Sequence, residues 1–365
     1  MDTGRRTGTG LGTGGVPTLE DVARAAGVSR ATVSRVVNGV RNVDPAIQQA
    51  VRRAVAATGY APNRAARSLV TRRSGIVALV VSGAGSGAGS GAGAGGAGDG
   101  FAARVFEDPF FGRVVSGVVR GLRPHGAHPV LMFADSAEDR AEVLAHLAQR
   151  SADGALLVTT DPRDPLPGML AEAGLPAVLL ACPAAGVPLD HVDLRHREGG
   201  ELAARHLLGL GRTRLSAIGG PADVPASRER LAGFREAAAA GGTRSRIPVA
   251  EGDFTLDGGE RAMRRLLAGE PGLDAVFAVN DVMAQGACLV LREHGRRIPE
   301  DVAVVGFDDS GAAAACRPRL TTVRQPVEEM AAEMVRLLLD RVAADASRAP
   351  VSVLFAPALV ICDSA

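Results

Sequence analysis

The hydrophobic positions of this chain change period near Gly75. Upstream, apolar residues recur every three or four positions, the spacing of one helix face. Val22, Ala23 and Ala26 mark a first helix, opened by Thr18 with Asp21 three residues on and broken at Gly27. Ser29 caps a second, which runs to Val37 before Asn38-Gly39. Asp44-Pro45, an N-cap followed by proline at the first helical position, opens a third that stops near Gly59. Downstream of Gly75, aliphatic runs predict strands at 76–81, 129–134, 155–159, 177–181, 214–219, 249–253, 275–280, 302–308 and 320–325. Helical periods, such as 226–240 and 326–342, lie between most of them. Strands joined by crossover helices imply parallel sheets covered on both faces. About 290 residues is large for one such unit, so two α/β lobes are expected.

Composition adds limits. Aromatic residues are 3% of the chain, with no Trp and one Tyr, so the interior must be built from Ala, Val and Leu. Cys182, Cys288, Cys316 and Cys362 are far apart and form no CxxC pair. That fits a reducing compartment better than a disulfide framework or zinc site. Arg5-Arg6 leads into a Gly/Thr-rich stretch rather than an apolar signal core, and residues 76–81 are too short to span a bilayer. A cytoplasmic protein without membrane contact, metal or cofactor is expected. The seven histidines form no nucleophile, acid/base or metal motif, so an enzyme is not expected.

The net charge of +1 hides an asymmetry. Residues 17–74 carry ten arginines against Glu20, Asp21 and Asp44, a surplus of seven, while the part after residue 74 carries a matching deficit. A basic head on an acidic body points to a polyanionic partner for the head alone, although a solvated charged face would carry the same residues. Residues 1–16 read as a disordered tail. Residues 82–100 are almost entirely Gly, Ala and Ser and contain a formal GxGxxG at 91–96. A dinucleotide site needs that motif to run directly into a helix, and with Asp99-Gly100 following, none is expected to begin there. The stretch reads as a flexible low-complexity insertion.

Two helices joined by a short glycine turn in a basic segment are the elements of a helix-turn-helix. With Val33, Val36 and Val37 turned inward, the second helix presents Arg30, Ala31, Ser34, Arg35 and Asn38. Arg can bond guanine in bidentate fashion, and Ala can touch a thymine methyl. A small helical interaction module is the alternative.

The residues 18–23, 26–29 and 32–38, followed by the hinge-like 60–69, resemble the lactose/galactose repressor family, and the similarity continues to the C-terminus. The resemblance implies an all-α helix-turn-helix headpiece (17–61), a hinge helix and linker (62–74) and a core (75–365). The core would be an α/β periplasmic-binding-protein-like pair of Rossmann-like lobes. Its N-lobe would span about 75–193 and 326–353, and its C-lobe about 194–325 and 354–365. It places Arg30, Ala31 and Arg35 in the major groove of double-stranded operator DNA, and Thr18, Ser29, Thr32, Ser34 and Asn38 near phosphates. Asn63, Arg64 and Leu69 would belong to a hinge helix, with Leu69 a minor-groove wedge, or simply a linker leucine resting on the core.

The resemblance also implies a homodimer and a small-molecule effector, a carbohydrate, between the lobes. Asp108-Pro109-Phe110-Phe111 resembles the family's Asn-Pro-Phe-Phe element, which brings Phe110 and Phe111 to the rim. Arg230, Phe254, Asn280, Asp308 and Gln325 fall at matching positions around the ligand. Arg230 and Asp308 also fit an ion pair across the lobes, Phe254 a core residue and Asn280 a helix cap. Ala181 departs from the pattern, standing at a strand end where several relatives have Asp.

Overall fold

The structure, a computed structural model, describes residues 17–37, 43–60, 73–83, 97–159, 161, 163–183, 186–242, 246–343 and 348–365. Its contacts divide the chain into two compact units, Met1–Ser74 and Gly75–Ala365. In the first, α1 (Leu19–Ala26), α2 (Arg30–Val37) and α3 (Pro45–Thr58) surround a small core of Val22, Ala23, Val33, Val51, Ala54 and Tyr60. The local chemistry sets each boundary. Thr18 and Asp21 form a reciprocal capping box, and Gly27 closes α1 at φ +64°. Asp44 caps α3 through the Ala46 and Ile47 N–H groups, with Pro45 behind it. Asn38, Asn63, Arg64 and Leu69, with the expected tail and residues 62–72 of the expected hinge and linker, lie outside the described residues.

The second unit holds two six-stranded sheets. The first joins β1 (Ile76–Ser82), β2 (His128–Ala134), β3 (Ala155–Thr159), β4 (Ala177–Leu180), β5 (Asp190–Leu194) and β11 (Ser352–Phe355) in the order β11-β5-β4-β3-β1-β2. The second joins β6 (Leu215–Gly219), β7 (Val249–Glu251), β8 (Ala275–Ala278), β9 (Ala303–Asp308), β10 (Thr321–Arg324) and β12 (Ala358–Val360) in the order β12-β10-β9-β8-β6-β7. Strand pairs are parallel except β10 with β12. The chain therefore passes between the sheets three times, after β5, β10 and β11.

Strand side chains alternate between two buried faces, as a sheet covered on both sides requires. Val77, Leu79, Leu156 and Val158 join one core, and Ala78, Val80, Ala155 and Leu157 the other. Nine of these strands coincide with the aliphatic runs; β5, β11 and β12 were not expected. One other expectation fails. A helix does begin after the Gly-rich run, at Ala97–Glu107, passing through Asp99 and Gly100. Tertiary contact overrides the local propensity: Val105 is buried, and Phe101 and Phe106 pack edge-on against Phe133 of β2. Residues 91–96 themselves lie outside the described residues.

Candidate functional site

In the first unit, Val33 is fully buried, and Val36 and Val37 pack against the same core. The other side of α2 is left to solvent. Ser29, Arg30, Ala31 and Arg35 are exposed, and Thr32 and Ser34 half-exposed. Ser29 Oγ accepts the Thr32 N–H at 3.2 Å, so it is the helix cap as well as a surface hydroxyl. Arg30 lies 3.6 Å from Glu20, with both side chains about two-thirds exposed, a weak pair that leaves the guanidinium available. Thr18, also exposed, spends its hydroxyl on Asp21 at 2.7 Å.

In the second unit, a cavity of about 250 Å³ lies between the two sheets. Phe110, Phe111, Arg230, Phe254, Asn280, Asp308 and Gln325 all line it. Arg230 organises the cavity. It sits in the Pro225–Ala240 helix, whose Gly233 packs on Arg197 of the His196–Gly209 helix, while Gly200 of that helix packs on the Arg230 backbone. A Cβ at Gly200 would strike the Arg230 carbonyl, and one at Gly233 the Arg197 carbonyl, so only glycine lets these backbones close. That approach brings His196 against Arg230.

The Arg230 guanidinium donates to the Val279 carbonyl at 2.7 Å, Asp308 Oδ1 at 3.2 Å, Gln325 Oε1 at 2.8 Å and His196 Nδ1 at 3.2 Å, and stacks 3.8 Å above Phe307. An arginine only donates, so His196 Nδ1 must be unprotonated; its Nε2–H then faces Asp193 Oδ1 at 3.2 Å. Burial, with Arg230 beside it, holds His196 below its ordinary 6.5 despite Asp193. Burial likewise pushes the Asp308 carboxyl up to about 8 against the pull of Arg230. From the first lobe, Arg113 donates to the carbonyls of Asp308 (2.7 Å) and Gln325 (3.0 Å) and pairs with Glu328 at 2.8 Å. The Arg230–Asp308 pair lies within the second lobe rather than across the two.

Asn280 caps the Asp281–Glu293 helix through Met283 N–H at 2.9 Å and also donates to the Phe254 carbonyl at 3.0 Å. Cap and cavity wall are thus one residue. Phe254 holds φ +68°, Ala181 φ +126° and Asp308 φ +110°. Three residues around one cavity hold a backbone that L side chains rarely adopt, a concentration of strain typical of binding sites.

Comparison with known proteins places this arrangement. Residues 18–63 match the family described as bacterial regulatory proteins, lacI family, and residues 204–365 match a periplasmic binding protein-like domain. The HTH-type transcriptional regulator CelR of Thermobifida fusca is 44% identical over 352 residues, 95% of this chain and 98% of CelR. The chain belongs to the LacI family. This LacI-family protein is a transcription regulator, as its relatives are, and not an enzyme. The ribose operon repressor of Escherichia coli (strain K12) is 32% identical over 330 residues, 89% of this chain and 93% of that repressor.

Among solved structures, a transcriptional regulator CelR–cellobiose complex superposes with a TM-score of 0.70 at 42% identity, covering 96% of this chain and 100% of that one. A lac repressor dimer bound to operator and the anti-inducer ONPF gives 0.77 at 27% identity, covering 95% of this chain and 98% of that one. The helix-turn-helix unit and the two-lobed parallel α/β core expected from the motifs are the architecture of these relatives.

Several residues that line or brace the cavity of this LacI-family regulator carry no clear signal in the sequence. Asp193 is the last residue but one of β5, a strand disguised by its polar alternation, and His196 opens the next helix. Arg113 falls one turn into the Pro109–Leu122 helix, and its partners lie about 200 residues away, beyond any local pattern. Asp108, the N-cap of that helix, was legible from Asp-Pro; it lines the cavity, and burial raises its carboxyl. Among the described residues no cluster of His, Cys, Asp and Glu could hold a metal ion, and no helix is long and apolar enough to cross a membrane.

Proposed function

We propose that this protein is a cytoplasmic repressor that binds a pseudo-palindromic operator as a homodimer and is controlled by a carbohydrate in the Arg230 cavity. The observation that carries the reading is the exposed side of α2, where Arg30, Ala31 and Arg35 stand clear once the valines turn inward. Arg30, Ala31 and Arg35 read base edges in the major groove, and Thr18, Ser29, Thr32 and Ser34 serve the phosphates. Asn38, Asn63, Arg64 and the Leu69 wedge complete the DNA contact. Leu131, exposed on the edge strand β2, and Phe106, exposed and packed against Phe133 on the same face of that strand, favour a second copy of the chain as the covering partner.

In the cavity, Arg230, Asn280, Asp308 and Gln325 supply donors and acceptors for sugar hydroxyls, while Phe110, Phe111 and Phe254 cover apolar ring faces. Cellobiose, held by the CelR relative, is the first ligand to try. Effector biases the relative position of the lobes, which decides whether paired hinges form on DNA. A coupling of about 1–3 kcal/mol changes operator affinity roughly 5- to 150-fold. Selection from random-sequence DNA, repeated with and without cellobiose, tests the proposal. It expects an enriched palindrome whose binding shifts with sugar. Binding without sequence preference would remove the reading.

A further inference from the structure

Asp308 is the last residue of β9 and Gln325 the first after β10, and the backbone between them and the cavity is held in an unusual form. Asp308 and Asp309 stand at φ +110° and +53°, a conformation that costs an L residue free energy and persists only where its surroundings impose it. The Gln325 N–H donates to the Asp308 carbonyl at 3.4 Å, which ties the two strand ends at one point.

Arg113 reaches that point from the other lobe. It stands one turn past Phe110 on the Pro109–Leu122 helix. A Cβ at Gly117 would strike the Glu328 carbonyl and the Ala331 side chain, so this helix lies tight against the start of the Val327–Ala343 helix, which packs on β3, β4 and β5. The close approach sets Glu328 beside Arg113. Nε and Nη2 of Arg113 donate to the two Glu328 carboxylate oxygens at 2.9 and 2.8 Å, a bidentate pair that fixes the plane of the guanidinium. The remaining N–H groups face the second lobe. Nη1 donates to the Asp308 carbonyl at 2.7 Å, and Nη2 also to the Gln325 carbonyl at 3.0 Å.

We infer that Arg113 is the positioning residue that makes the effector site depend on the arrangement of the two lobes. Fixed by Glu328 in the first lobe, it holds the backbone of Asp308 and Gln325, so both side chains are presented to the saccharide only while the lobes keep this arrangement. Phe110 and Phe111, on the same helix, line the same cavity. The apolar cover from the first lobe and its hold on the polar residues therefore arrive together. A ligand that needs both binds this arrangement in preference to any other, which is the differential contact a shift of population requires. The inference rests on the reading of this cavity as a carbohydrate site.

Calorimetric titration of the full chain with cellobiose, beside amide exchange on the ligand-free protein, tests this. R113M keeps most of the stem of the side chain and loses every donor. It should bind cellobiose roughly 3- to 30-fold more weakly, within the range for coupling inside one hydrogen-bond network. R113K keeps the charge and part of the bonding and should recover part of the loss. E328Q, which loosens the guanidinium without removing it, should weaken binding by a smaller factor and decides the matter if R113M does not fold. In a Q325A or D308A background R113M should cost less, because a side chain it positions is already gone. Unaltered affinity in R113M overturns the assignment, and so does the full loss in both backgrounds. Without sugar, the Asp309 and Gln325 amides, which bond Thr322 and Asp308, should exchange faster in R113M than in wild type; unchanged exchange also overturns it. That arm needs no ligand. A wild type that binds no cellobiose therefore overturns the carbohydrate reading, while exchange still decides whether Arg113 holds the two strand ends.

Discussion

Replacing Arg230 with alanine probes the cavity most directly. The side chain is 7% exposed, and its removal deletes four hydrogen bonds and the contact with Phe307. Asp308, Gln325 Oε1 and the Val279 carbonyl lose a shared donor. Breaking a buried pair by removing one partner costs about 3–5 kcal/mol. Asp308, pushed up to about 8, is mostly protonated near neutrality, so it is left a neutral acid rather than a stranded anion. The lower end of the range therefore applies at pH 7. The second unit, residues 75–365, has an unfolding entropy of about 0.6 kcal/mol per degree at the usual value per residue. The expected drop in its melting temperature is about 5 °C at pH 7.

The pH dependence has a definite sign. Without Arg230 the folded-state pKa of Asp308 rises further above its unfolded value. Wild type and variant both hold the acid protonated at pH 6, and only the variant strains to do so at pH 9. The gap between them should widen as pH rises through 8. Scanning calorimetry with and without cellobiose checks both parts. At a hundred times its Kd, a ligand adds about 2.7 kcal/mol to the wild type, and R230A should show no gain. An R230A protein with wild-type melting and an intact sugar shift would refute the reasoning.

Three further outcomes follow from named contacts. Arg30→Ala should weaken binding to a selected operator about 5- to 150-fold and relax preference at one base pair, as seen by gel shift, without altering headpiece melting. His196 is held neutral below its ordinary 6.5, so its contribution to stability is present above pH 6.5 and lost as pH falls towards its depressed value. In melts at pH 7.5 and 5.5, His196→Asn should show a smaller acid-induced loss than wild type; an identical loss would show that His196 does not sense pH. Gly233→Val, which drives a branched side chain into the Arg197 carbonyl, should cost several kcal/mol and abolish the cellobiose shift in the same scans.

Much of the molecule is written in local chemistry. Thr18-Asp21, Asp44-Pro45 and the valine stripe of α2 fix the headpiece, because caps and helix faces need only neighbours three or four residues away. The aliphatic runs reveal the central strands for the same reason: a strand buried on both faces has almost nothing but Val, Leu, Ile and Ala to show. Where burial of a polar group depends on a distant partner, the pattern fails. Asp190 is fully buried in β5 only because Arg341 and Arg348 reach it from over 150 positions later, so the strand looks polar in isolation. β11 and β12 are partly exposed strands with weak alternation, and the helix at Ala97 owes its stability to Phe133 rather than to its glycines.

The sequence by itself determined the headpiece, the α/β class and which polar residues stand at strand ends. Only tertiary structure decided that Asp193, His196, Arg230 and Gln325 form one chain of hydrogen bonds along the cavity. Hydrogen-bond direction, desolvation and the closeness of two helix backbones depend on groups brought together from four separate crossings and turns, and no window of adjacent residues contains them.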